Sequence, residues 1–130
     1  MNEHINEIFR FRSLPVYQES RSFRKIVKDY TKQSFPKEEQ YALTSQLWRS
    51  LDSVVLNIAE GMDRFSGKGN SVFLNYSIGS LDEAVSCLDC ALDDGYIGME
   101  LHEKFLSNAS QIMRQLKALC ATIRRNDRSN

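Results

Sequence analysis

The sequence predicts an all-α protein, one up-and-down antiparallel four-helix bundle. Three observations carry that prediction. Apolar residues recur at steps of three and four through four long segments. Only two prolines and six glycines interrupt 130 residues. No segment shows the period of two that a half-buried strand requires.

The first long helix begins at Pro15, which suits a first helical position because its missing N–H is not needed there. Val16, Ser20, Phe23, Val27 and Tyr30 form its inward face. Ser34-Phe35-Pro36 ends it, since the residue before a proline is pushed out of the α region. The second helix is expected from about Pro36, with Glu38 and Glu39 in its first turn, where the helix dipole favours negative charge. One seam reads Thr44, Leu47, Leu51, Val54 and Ile58; another reads Tyr41, Trp48, Val55 and Met62. So wide an apolar stripe places this helix centrally in the core or partly in a subunit contact.

The glycine-rich stretch from Asp63 to Asn70 reads as a loop, with Asn70 or Ser71 capping the third helix. That helix has the most regular seam: Leu74, Ile78, Leu81, Val85, Leu88 and Leu92. Beside it runs a row of small residues, Ser77, Ser80, Ala84, Cys87 and Ala91, which lets another helix come close. Gly95 is placed to end the helix in a left-handed conformation. The fourth helix is expected from about Met99 to Arg125, with Phe105, Ala109, Ile112, Leu116, Leu119 and Ile123 inward. Residues 1–13 are expected as an arm or short turn, 14–126 as the bundle and 127–130 as a flexible tail.

No window approaches 18 consecutive apolar residues, so no membrane span is expected. The N-terminus lacks a basic region followed by an apolar one, and three cysteines fit free thiols in a reducing cytoplasm. Net charge is zero, unlike a dedicated nucleic-acid binder, yet the charge is unevenly placed. Residues 1–35 hold seven Lys or Arg against four acids, while 70–103 hold no Lys or Arg at all. Arg21, Lys25, Lys28 and Lys32 fall on one stripe of the first helix, and Arg114, Lys117, Arg124 and Arg128 form a stripe on the fourth. These stripes are either solvated faces, a phosphate-contacting surface, or a basic face that docks the acidic third helix of another copy.

Chemistry-bearing motifs are scarce. Cys87-Leu88-Asp89-Cys90 sits mid-helix, where buried inert thiols are expected rather than a zinc site. No Glu-x-x-His pair, P-loop, dinucleotide fingerprint or nucleophile motif is present. No catalytic residue, metal ligand or cofactor is therefore assigned, and the chain is not expected to be an enzyme. Asn57, Glu60, Ser80 and Glu83 are polar groups beside apolar seams and are expected to share a satisfied network between the second and third helices.

From Asn57-Ile58-Ala59-Glu60-Gly61 the sequence resembles a bacterial four-helix-bundle family, that of the protein encoded in 23S rRNA intervening sequences, or S23 family. Phe11-Arg12-Ser13-Leu14-Pro15-Val16-Tyr17 matches the family's opening, and Phe35-Pro36-Lys37-Glu38-Glu39-Gln40-Tyr41-Ala42-Leu43 its next segment. Gln46-Leu47-Trp48-Arg49, Gly79-Ser80-Leu81-Asp82-Glu83 and Gly95-Tyr96 follow in the family's order, and the resemblance spans roughly residues 10–125. It implies an up-and-down bundle and a homo-oligomer, with rings of five among relatives. It implies no catalysis. Some relatives are encoded inside rRNA genes, and a strongly basic branch partners a reverse transcriptase.

Two functions follow as expectations. The first is a non-enzymatic oligomeric scaffold that binds rRNA or a ribonucleoprotein partner, with both basic stripes exposed on one face. The second is a protein-interaction adaptor without nucleic-acid affinity, such as a reverse-transcriptase accessory protein, with those stripes used in subunit contacts. An enzyme with a small pocket near Asn57, Glu60 and Glu83 is a minor third.

Overall fold

The computed structural model describes residues 3–64 and 67–129, with side chains described to residue 126. Four long helices form a bundle: α2 (Pro15–Ser34), α3 (Leu43–Met62), α4 (Gly67–Asp93) and α5 (Met99–Ser129). A short helix, α1 (Glu3–Ile8), and a 3-10 turn over Arg10–Ser13 precede them. Each long helix packs against the next and α5 closes back onto α2, with α3, α4 and α5 the most closely packed. No strand occurs among the described residues.

The seams become the core. Val16, Phe23, Val27, Leu47, Leu51, Ile58, Leu74, Leu81, Leu88, Ile112 and Leu116 are buried in one cluster. On α4 the small residues Ser77, Ala84, Cys87 and Ala91 are buried, and the Ser77 hydroxyl donates to the Val54 carbonyl of α3 at 2.9 Å. A short side chain lets the two backbones meet closely and supplies a hydrogen bond that a methyl group cannot. At the other end of the bundle an aromatic cluster closes α2 onto α5. Phe23 and Tyr30 pack edge-on to Phe105, and the Tyr30 hydroxyl donates to the Tyr96 carbonyl at 2.9 Å.

Gly95 ends α4 as the sequence predicts. Its φ is +78°, the Tyr96 N–H reaches the Ala91 carbonyl at 2.8 Å, and the Gly95 N–H reaches that of Leu92 at 3.1 Å. That is the paired bonding of a Schellman end, which a residue with a Cβ fits poorly.

Two boundaries differ from expectation. The second long helix starts at Leu43, not near Pro36. Lys37–Glu39 form a separate 3-10 turn, and Ala42 has φ −122° and ψ −105°, outside the helical region. Glu39 is drawn instead into a tertiary bond, accepting from the Tyr96 hydroxyl at 3.0 Å. Tyr41 therefore leaves the second seam and is 90% exposed. The third long helix starts earlier than expected, at Gly67 rather than Asn70 or Ser71. The Asn70 amide donates to the Gly61 carbonyl, so it satisfies the end of α3 rather than capping α4. Gly61 is buried there, and a Cβ on it would stand 3.2 Å from the Asn70 carbonyl oxygen and from the Phe73 Cβ. Phe65 and Ser66, also within the expected loop, lie outside the described residues.

Candidate nucleic-acid and partner surface

The basic stripe of α2 is largely neutralised within the chain. Lys28 Nζ lies 2.6 Å and Arg24 Nε 2.7 Å from the same carboxylate oxygen of Asp52 on α3. The Lys28 side chain is only 12% exposed, and its ammonium sits 5.0 Å from the centre of the Trp48 ring. Burial opposes the charge on Asp52, but hydrogen bonds from Lys28 and then Arg24 outweigh it and hold the carboxyl below its ordinary value. Lys25 bonds Asp29 at 2.9 Å, and Lys32 lies 3.9 Å from the same carboxylate. The hydrogen bond from Lys25 holds the Asp29 carboxyl low. Of this stripe only Arg21 has no carboxylate partner among the described residues, and it leans over the Tyr17 ring. Lys28 is thus a joint between α2 and α3, which corrects its reading as part of a solvated or ligand-facing stripe.

The stripe of α5 is different. Arg114, Lys117 and Arg124 fall at steps of three and seven with Ala121 between the last two, and all are exposed. Among the described residues none of the three has a carboxylate within ion-pair distance. Arg128, the next position of that stripe, has no described side chain. Among the described residues the exposed carboxylates Asp82 and Asp93 of α4, and Asp94 just after it, also have no cation within ion-pair distance. Asp89 differs: it bonds the buried His102 at 2.8 Å and ties the start of α5 to α4. Asp82 and Arg114 line one shallow groove between α4 and α5, beyond ion-pair distance of each other, whereas Asp93 lies at the end of α4 next to the connection.

The four polar residues between α3 and α4 do not all meet. Asn57 donates to the Ser53 carbonyl and hydroxyl, each at 2.9 Å, and the Ser80 hydroxyl donates to the same Ser53 hydroxyl at 2.7 Å. Glu83 accepts from Gln46 at 3.2 Å, while Glu60 is exposed and pairs with Arg64 one turn on. Ser53, missed in the sequence because a serine facing solvent and one facing a partner helix look alike, is the residue that joins Asn57 to Ser80. Only Asn57, Ser53 and Ser80 are joined by hydrogen bonds, and Ser53, Ser80 and Glu83 line one shallow groove.

Cys87 and Cys120 are buried, but Cys90 is exposed, which corrects the expectation that both thiols of the Cys87–Cys90 pair are buried. Burial, then Glu83 and Cys90, raises the Cys87 thiol to about 11, and burial also raises Cys120 against the pull of Arg124. Native protein at pH 8 is expected to take up one equivalent of iodoacetamide rapidly, at Cys90, and the other two only in denaturant, as read by intact mass. Rapid labelling of Cys87 in the native protein would contradict its burial in the core. Among the described residues no group of three or more His, Cys, Asp or Glu is placed to hold a metal ion, and no helix is long and apolar enough to cross a membrane.

The 23S rRNA-intervening sequence protein family matches residues 12–118. The chain belongs to this family. A crystal structure of a protein of unknown function from the S23 ribosomal protein family, from Bacteroides thetaiotaomicron VPI-5482, superposes with a TM-score of 0.71 at 19% identity, covering 81% of this chain and 97% of that one. At that identity the likeness establishes the shared bundle. No curated relative matches the chain. Family membership fits the boundaries found here: the matched span runs from the turn before α2 well into α5.

Proposed function

We propose that this chain is a non-enzymatic, self-assembling bundle that holds RNA, or a ribonucleoprotein, through the cationic stripe of α5. The observation that carries the reading is the contrast between the two stripes. Lys25, Lys28 and Lys32 of α2 are engaged by Asp29 and Asp52, whereas among the described residues Arg114, Lys117 and Arg124 have no carboxylate within ion-pair distance. An exposed row of unneutralised cations attracts phosphates, and each phosphate contact releases condensed counterions. The family's name links its members to 23S rRNA, which supports RNA as the class of partner.

The test is binding to a structured rRNA fragment across a salt series. Replacing Arg114, Lys117 and Arg124 together by alanine should weaken binding and flatten the slope of log K against log salt by about 2. The double variant Arg21→Ala/Lys25→Ala should change it by less. Equal slopes for the parent and the α5 variant would refute the assignment of that stripe.

A second reading has its own observation. Asp82 and Asp93 of α4 are as unpaired as the α5 cations and opposite in sign, so α4 of one copy complements α5 of another. In that case the protein is an adaptor whose basic stripe is covered in the assembly. Asp82→Lys/Asp93→Lys should then lower the mass seen by light scattering, and an unchanged mass would refute the contact. Asp89 is left intact because its bond to His102 is internal.

A further inference from the structure

Where α2 ends and α3 begins, an open cleft of about 520 Å³ has chemistry that the bundle does not use. Phe35, Pro36, Tyr41 and Trp48 contribute apolar and aromatic surface, and Lys32, Lys37 and Arg49 bring three cations. Its one carboxylate, Asp52, is already committed to Arg24 and Lys28. Lys37 and Arg49 have no carboxylate partner among the described residues. The Thr44 hydroxyl, on the cleft wall, is buried without a hydrogen-bond partner. No side chain caps α3 here, since Ala42 stands at the cap position.

The neighbouring residues have internal work. Phe35 packs against Tyr30 and Tyr96, Glu39 takes the Tyr96 hydroxyl, and the Trp48 indole donates to Thr31 at 2.8 Å. Tyr41 has none: its side chain is 90% exposed and makes no described ring contact or hydrogen bond. An exposed aromatic in a cleft with two uncommitted cations, Lys37 and Arg49, and an unsatisfied hydroxyl matches a flat, uncharged ring carrying an anion.

We infer that this cleft binds one unstacked nucleotide, its base against Tyr41 beside Trp48, whose ring already carries Lys28 and Lys32, and its phosphate at Lys37 and Arg49. The volume is within the usual range for small-molecule sites. Base stacking on an aromatic ring is tolerant of sequence, and cations near the ring serve the backbone phosphate. The inference rests on the RNA reading and adds to it a second, single-strand-selective contact away from the α5 stripe.

Trp48 is the chain's one tryptophan, so its emission reports on this cleft directly. The full chain is titrated at low salt with short 5′-phosphorylated single-stranded RNA, with the corresponding duplex, with nucleoside monophosphates and with an acidic peptide lacking tryptophan. Binding of labelled RNA is followed in parallel by anisotropy. The inference predicts that single-stranded RNA quenches Trp48 and the duplex does so far less. Tyr41→Ala should weaken the quench about 10-fold or more, and Lys37→Ala/Arg49→Ala should weaken it and reduce its salt dependence. Quenching by monophosphates at similar concentrations would make free nucleotide the source of the ligand, and quenching by the oligomer alone would make it an RNA strand. RNA bound by anisotropy with Trp48 unchanged, and Tyr41→Ala identical to the parent, would overturn the cleft while leaving the α5 reading intact. No binding of any nucleic acid would overturn both, and quenching by the peptide alone would overturn the nucleotide assignment.

Discussion

Leu88→Ala should lower the unfolding free energy by about 2–5 kcal/mol, the range for emptying a fully buried leucine site. Leu88 is 0% exposed and stands in the regular seam of α4, the helix packed between α3 and α5. The close packing of α3, α4 and α5 leaves little room for neighbours to collapse into the space. Typical domains have only about 5–15 kcal/mol in total, so this one change removes a large share. Leu56→Ala is the matched control. Leu56 is 66% exposed on the outer side of α3, and the same deletion there should stay within about 0.5 kcal/mol. Urea unfolding of both variants tests the inward assignment, and equal losses would contradict the packing described.

Asp52→Ala should have the next largest effect. It strands Lys28, which is 12% exposed, and removes the partner of Arg24. Breaking a fully buried pair costs roughly 3–5 kcal/mol, but Asp52 is 38% exposed and water screens part of the interaction. The expected loss is therefore about 1–2 kcal/mol. The same contact sets a pH dependence. Its carboxyl is held lower in the folded chain than in the unfolded one. The stabilisation is then complete above the unfolded value, about 3.9, and is lost as pH falls through the folded value. Asp52→Asn should lack this component, so the stability difference between parent and variant should narrow on acidification from pH 6 toward pH 3. A difference that stays constant over that range would show that Asp52 carries no pairing energy.

The helical seams were legible because burial is written in the spacing of residues along one helix. Val54 and Ile58 face inward as their spacing requires, and Gly95 could be identified because only one backbone conformation makes a glycine valuable there. Features that depend on two helices at once were not legible. Lys28 reads as one member of a basic stripe until Asp52, 24 residues away, is seen beneath it. Ser53 gains meaning only when Ser80 is opposite. The start of α3 was misjudged because residues 37–42 have good helix-formers and acids in favourable places, yet the bond from Tyr96 to Glu39 belongs to the tertiary structure. The start of α4 was misjudged for the opposite reason: glycines lower helix propensity, but in a first turn that cost is tolerated when Asn70 joins the two helices. The cleft at Tyr41 depended on the same error, because a tyrosine placed in a core seam gives no reason to look for a ligand.

The most direct test of the account is sedimentation velocity of the full chain with a fluorescent rRNA fragment, observed at separate wavelengths for protein and RNA. A self-assembling RNA scaffold predicts that protein alone sediments as a multiple of the 15.0 kDa chain and that RNA moves with it as one boundary. A single 15.0 kDa species at every concentration, with the RNA boundary unchanged by protein, would contradict it.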